Sequence, residues 1–153
     1  MEYGSIEREI YLEASPEVVF EVVSSSEHIA KWWSDEAEIE TIGDEGHVLF
    51  RGDRADDNKI VPLMVIEARH PHRFSFRWDF TAGAVPGPDN SLLVTFDLEP
   101  VGNGTLVKMT ESGFREQGWE AAVLEEKYLD HTHGWDYFIP RLGEYVAVLV
   151  SSS

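Results

Sequence analysis

Residues 119–150, WEAAVLEEKYLDHTHGWDYFIPRLGEYVAVLV, decide the fold. Within them Leu124, Tyr128, His131, Trp135, Phe138, Leu142, Tyr145 and Leu149 succeed one another at alternating steps of four and three. That spacing places them on one face of a long helix. The face is rich in aromatic residues and carries a single histidine. Pro140 lies inside the stretch, where its missing backbone donor is expected to bend the helix.

Working outward, almost everything from residue 36 to residue 114 has the period of a strand. Phe74, Phe76, Trp78 and Phe80 alternate with Ser75, Arg77 and Asp79, so the aromatic side chains are expected to share one face. Strands are expected at Glu36–Ile42, His47–Arg51, Lys59–Arg69, Arg73–Phe80, Leu92–Glu99 and Thr105–Ser112. Gly43-Asp44-Glu45-Gly46 reads as a turn, Asp53–Asn58 as a polar connection, and Gly102-Asn103-Gly104 as the last hairpin. Pro62 suggests an edge strand or a bulge. Thr81–Asn90, with two prolines and two glycines, reads as a long mobile loop.

Before this region, Ile6, Arg8, Ile10 and Leu12 alternate with charged and polar residues as a first strand. Ser15-Pro16-Glu17 supplies the start of a short helix. Ser24-Ser25-Ser26 interrupts it, and a second short helix leads to Trp32-Trp33. Two adjacent tryptophans are not expected to face the same core, so one should border an opening. The order is strand, two short helices, six strands and one long helix, an α+β arrangement without repeat or linker. A curved seven-stranded antiparallel sheet around that helix is the expected single domain, and strong curvature leaves a cavity between the two.

Composition narrows the function. The 153 residues carry 29 acidic and 12 basic side chains, a net charge of −17. Such a surface repels phosphate backbones and anionic lipid, so neither nucleic acid nor membrane is an expected partner. The absence of cysteine excludes disulfides and thiolate chemistry. Residues 1–5 show no export signal, and a cytoplasmic location is expected.

Few residues offer chemistry. Glu111 shares the inward parity of Val107 and Met109, and a carboxylate there must find a partner or be partly protonated. His131 and His133 point about 200° apart on a helix and cannot share one ion. No third ligand accompanies either of them, and His70-Pro71-His72 reads as a surface turn. No metal, cofactor or nucleophile motif is expected, hence no catalytic residue. The candidate ligand-binding set is Trp33, Phe50, Met64, Phe76, Trp78, Phe80, Met109, Glu111, Phe114, His131, Trp135 and Phe138. Its expected occupant is a small hydrophobic or aromatic molecule, and the protein is expected to be a monomer or homodimer.

Several short motifs together resemble the START-related (SRPBCC) superfamily. They are Ile6–Leu12 followed by Ala14-Ser15-Pro16-Glu17-Val18-Val19-Phe20, the triplet Lys31-Trp32-Trp33, and the turn Gly43–Gly46. Phe76-Arg77-Trp78, Glu111-Ser112-Gly113-Phe114 and His131-x-x-Gly134-Trp135 complete the set. The chain is similar in particular to the domain named after the activator of the heat-shock-protein-90 ATPase (AHSA-type), over residues 5–149. The resemblance implies a helix-grip fold with a hydrophobic cavity. Gly134 would then bring the helix close to the sheet, and Trp135 would plug the cavity wall. It also opens two alternatives to simple binding. One is an enzyme or resistance factor of the cyclase, hydrolase or enediyne self-resistance type, for which Asp89-Asn90-Ser91, Val94-Thr95-Phe96 and Gly134-Trp135 offer short matches. The other is a co-chaperone-like interaction module.

Overall fold

The computed structural model describes residues 3–52, 54 and 58–151. Most of the expected Asp53–Asn58 connection therefore lies outside the described residues. In chain order the elements are β1 (Ser5–Leu12), α1 (Pro16–Ser24), α2 (Ser26–Trp32), β2 (Glu36–Glu38) and β3 (Glu45–Phe50). There follow β4 (Lys59–Arg69), β5 (Arg73–Trp78), β6 (Leu92–Val101), β7 (Gly104–Ser112) and α3 (Ala121–Ser151). The seven strands form one antiparallel sheet in the order β1-β7-β6-β5-β4-β3-β2. This is the helix-grip arrangement read from the sequence.

Local chemistry explains the element ends. The Ser15 hydroxyl accepts from the Val18 amide and Pro16 opens α1, while the Ser25 hydroxyl accepts from the His28 amide to start α2. The two short helices bury Val19, Phe20, Val22, Val23, Ile29 and Trp32 against the sheet. Gly102, at φ 58°, lets a two-residue turn join β6 to β7, with Val101 opposite Gly104.

Three strand expectations change. β2 covers only Glu36–Glu38 of the expected Glu36–Ile42, because the Ser26 hydroxyl takes the Ile39 amide at 2.8 Å. The Gly43 amide then donates to the Val65 carbonyl, and the chain turns toward β3. Pro62 lies in β4, an interior strand, opposite His47, and the bulge falls at Val65/Glu67 instead. Pro62 is tolerated because its carbonyl faces Asp79, whose amide donates to it just past the end of β5. Its missing donor therefore falls where the ladder has already stopped. Asp79 itself, at φ 62°, ends β5 two residues before the expected Phe80. Ser75 is buried despite its outward parity.

Both adjacent tryptophans are buried, and one of them, Trp33, lines an opening between α3 and the sheet. Trp32 donates its indole N–H to the Val22 carbonyl at 3.0 Å, and Trp33, at the end of α2, turns toward α3.

The long helix seats unevenly. Its buried line is Trp135, Ile139, Leu142 and Val146, whereas Phe138 and Tyr145 of the expected stripe are half-buried. Neighbouring apolar pairs such as Phe138 and Ile139 leave the rotation of a helix open by one residue, and packing chooses. A methyl group added at Gly143 would lie 2.9 Å from Ile10 Cδ1, so the helix closes on β1 there. At Gly134 the same group would meet nothing within 4 Å. The close-approach role implied for Gly134 therefore belongs to Gly143. Pro140 is inside α3 and exposed. Among the described residues no helix is long and apolar enough to cross a membrane.

Candidate functional site

Glu111 sits on β7, opposite Ile6 of β1 and Val94 of β6, on the inward face shared with Val107 and Met109. It is fully buried. An isolated carboxylate in such a place is heavily penalised, so its partners are decisive. There are three. Trp78 Nε1 donates to Oε2 at 2.7 Å, and Trp135 Nε1 donates to Oε1 at 2.8 Å. His131 Nδ1 lies 2.9 Å from Oε1 and 3.0 Å from Oε2. An indole N–H can only donate, so both oxygens act as acceptors, the role of a carboxylate. Two such donors favour the ionised carboxyl, and His131 Nδ1 donates to it in that form.

The fold delivers these groups from three elements. Trp78 is the last residue of β5, and His131 and Trp135 stand one turn apart on α3. The edges of the Trp78 and Phe114 rings each pack on the imidazole, with centroids 5.5 Å away in both cases. Burial pulls the His131 pKa down. The hydrogen bond and the negative charge of Glu111, with Asp79 and Asp130 adding to it, outweigh that and raise it above the ordinary value.

In front of this group α3 stands away from the sheet and leaves a cleft of about 320 Å³. Trp33, Phe50, Val61, Trp78, Trp135 and Phe138 form its apolar wall, with His131 and Gly134 on the helix side. Trp33 stacks on Trp135 with ring centroids 5.7 Å apart and planes 12° apart, and it packs on Trp78 at 4.9 Å. The exposed rim carries Lys59, Lys127, Asp79 and Asp130. Among the described residues neither rim lysine is ion-paired.

Of the twelve candidate residues, Trp33, Phe50, Trp78, His131, Trp135 and Phe138 come together around this cleft. Phe76, Met109, Phe114 and Glu111 are buried behind it, and Phe80 is buried just past β5. Met64 lies on the face of β4 opposite to buried Leu63 and Val65. The loop 81–90 is absent from the lining. Its Gly83 amide is tied to Glu45, its Pro88 carbonyl to Gln117 and its Gly87 carbonyl to Ser91. Lys127, Asp130 and Gly134 were missed, although with His131, Trp135 and Phe138 they repeat at helical spacing on one face. Asp79 left no signal, since its left-handed backbone is not legible in its residue type.

The sequence matches the family described as Activator of Hsp90 ATPase homolog 1-like protein over residues 13–147. Its fold is similar to that of the Aha1 dimer from Colwellia psychrerythraea, at 20% identity and TM-score 0.69, covering 93% of this chain and 95% of that one. Protein BH1534 of Bacillus halodurans is 27% identical, with TM-score 0.65 and coverage of 93% and 96%. DynU16, from the dynemicin biosynthetic locus, is 19% identical with TM-score 0.70 over 94% of this chain, which spans about half of that protein, 47%. A comparison with curated protein sequences finds no significant match.

Proposed function

The chain belongs to the family of Activator of Hsp90 ATPase homolog 1-like proteins, and we propose that it binds a small, flat aromatic molecule in the cleft between α3 and the sheet. One observation carries this reading. Three indole rings and two phenylalanine rings line an accessible cavity whose buried backing is fully hydrogen-bonded. An aromatic wall edged by charged side chains suits a flat ring that carries a polar group. Its rim, with two lysines and two aspartates, suits a ligand whose polar groups lie at its edge.

The test is a titration with anilinonaphthalenesulfonate, an anionic aromatic dye. Saturable dye binding with quenching of tryptophan fluorescence is expected for the native protein. Gly134→Phe, which places a ring into open space, should abolish it while leaving the far-ultraviolet spectrum unchanged. Absence of saturable binding to the native protein would overturn the reading.

The family match favours a second reading more directly than the first. The family is named for a chaperone activator, and one protein of similar fold is an Aha1 dimer. In that reading the domain contacts Hsp90 and raises its ATPase rate. An ATPase assay with purified chaperone, with and without this protein, decides it; an unchanged rate rejects it.

A further inference from the structure

The polar atoms of the cleft wall differ in what they have left to offer. Of the three indole N–H groups in the cleft wall, those of Trp78 and Trp135 are already given to Glu111. His131 also gives its Nδ1 proton to Glu111, which leaves Nε2 as a lone-pair acceptor in the neutral ring. Nε2 has no hydrogen-bond partner among the described residues. No buried side-chain nitrogen or oxygen there lacks one, so Nε2 is open to the cleft that His131 lines. His131 thus offers the cleft one acceptor, Nε2. The carboxylate behind it stabilises the imidazolium that forms if the acceptor takes a proton.

We propose that His131 Nε2, backed by Glu111, accepts the proton of a weakly acidic hydroxyl, a phenol or enol, on a flat aromatic ligand held in the cleft. This rests on the ligand-binding reading above. The step needs no co-reactant. The O–H bond breaks with its electron pair left on oxygen, and Nε2 forms the new N–H bond. The imidazolium then lies between the ligand oxyanion on one side and Glu111 on the other.

The charged groups facing His131 come from four elements. Glu111 reaches it from β7, Asp79 from the turn after β5, Asp130 and Lys127 from α3, and Lys59 from β4. The two aspartates favour the imidazolium, as does Glu111. The two unpaired lysines are placed to meet the negative charge that develops on the ligand. A hydroxyl, rather than a carboxylate already ionised at neutral pH, is the group that makes use of a free acceptor.

Two probes of one shape test this: para-nitrophenol and its methyl ether, para-nitroanisole. Native protein at a pH where the imidazole is neutral should bind the phenol about tenfold more tightly than the ether, the scale of a charge-assisted hydrogen bond. The bound phenol should show the absorbance of its anion in a larger fraction than free phenol at the same pH. In His131→Gln the affinities should converge to within about twofold, and the anion band should return to its free level. The native measurement stands alone if that variant does not fold. Equal affinity for both probes without added anion band overturns the proton-acceptor role and leaves the ligand cleft intact. Binding of neither probe overturns both.

Discussion

The two halves of α3 meet the same sheet in different ways. Around Gly143 the helix backbone lies so near β1 that one methyl would press on Ile10, whereas around Gly134 there is room for it. Leu142 and Val146 seat the second half by apolar contact, and both are buried. The first half is held at a distance by hydrogen bonds from His131 and Trp135 to one buried carboxylate. A helix pinned at a distance by polar groups and pressed down further along leaves a wedge. The cleft is that wedge, so it follows from how the two halves are fastened.

The difference between the two halves is lost most completely if the polar fastening is removed. Glu111→Leu leaves two indole N–H groups and an imidazole without their acceptor, and a loss of about 3–5 kcal/mol is expected from chemical denaturation. A loss under about 1 kcal/mol, in the range of surface changes, would mean that packing alone holds the first half. Next in size is the apolar seat. Gly143→Val adds two further methyl groups where Ile10 already crowds the position, and about 1–3 kcal/mol should be lost. An unchanged urea midpoint would show that α3 can lift off β1 freely.

Gly134→Ala works in the opposite direction. Removing a glycine from a helix interior with no steric conflict should raise stability by about 0.5–1 kcal/mol. The same methyl enters the cleft, so dye affinity should fall as stability rises. If both fall together, Gly134 is structural and the halves are more alike than described.

The smallest effect is a slope with pH. The folded-state pKa of His131 is raised above its ordinary value near 6.5, because Glu111 outweighs burial. The stabilisation is then complete below about 6.5 and is lost as pH rises through the raised value. The urea midpoint should decline over that window in the native protein and stay flatter in His131→Gln. A native protein with no slope there would separate Glu111 from His131 energetically.

The architecture was legible because it rests on repeated patterns. The alternation at Ile6–Leu12 and Phe74–Trp78 gave strands, and the apolar spacing after Leu124 gave the long helix. What escaped depends on single distant contacts. The Ser26 hydroxyl that ends β2 is 13 residues from the amide it captures. Gly134 and Gly143 look alike in a helix, and only the partner strand distinguishes them. The site was legible in the same proportion. Parity placed Glu111 inward and helical spacing placed His131 toward it, but nothing local pairs Glu111 with the indoles of Trp78 and Trp135, 33 and 24 residues away. The charged rim was missed because exposed lysines and aspartates, on the helix as on the strand ends, read as ordinary solvated surface.

Among the described residues the edge strands of the sheet are β2 and β1. At one side β2 is three residues long and exposes Glu36 and Glu38, the first of them paired with Arg51. At the other, β1 exposes Glu7 and Glu9 along its outer face. Unpaired edges invite another chain to add a strand, which is a common route to fibrils and precipitates. Here two copies approaching edge to edge bring carboxylates against carboxylates, within a chain of net charge −17. The protection is electrostatic, so acid and concentrated salt both weaken it. The conditions that threaten this protein in storage are therefore those that silence its surface charge while the fold remains intact.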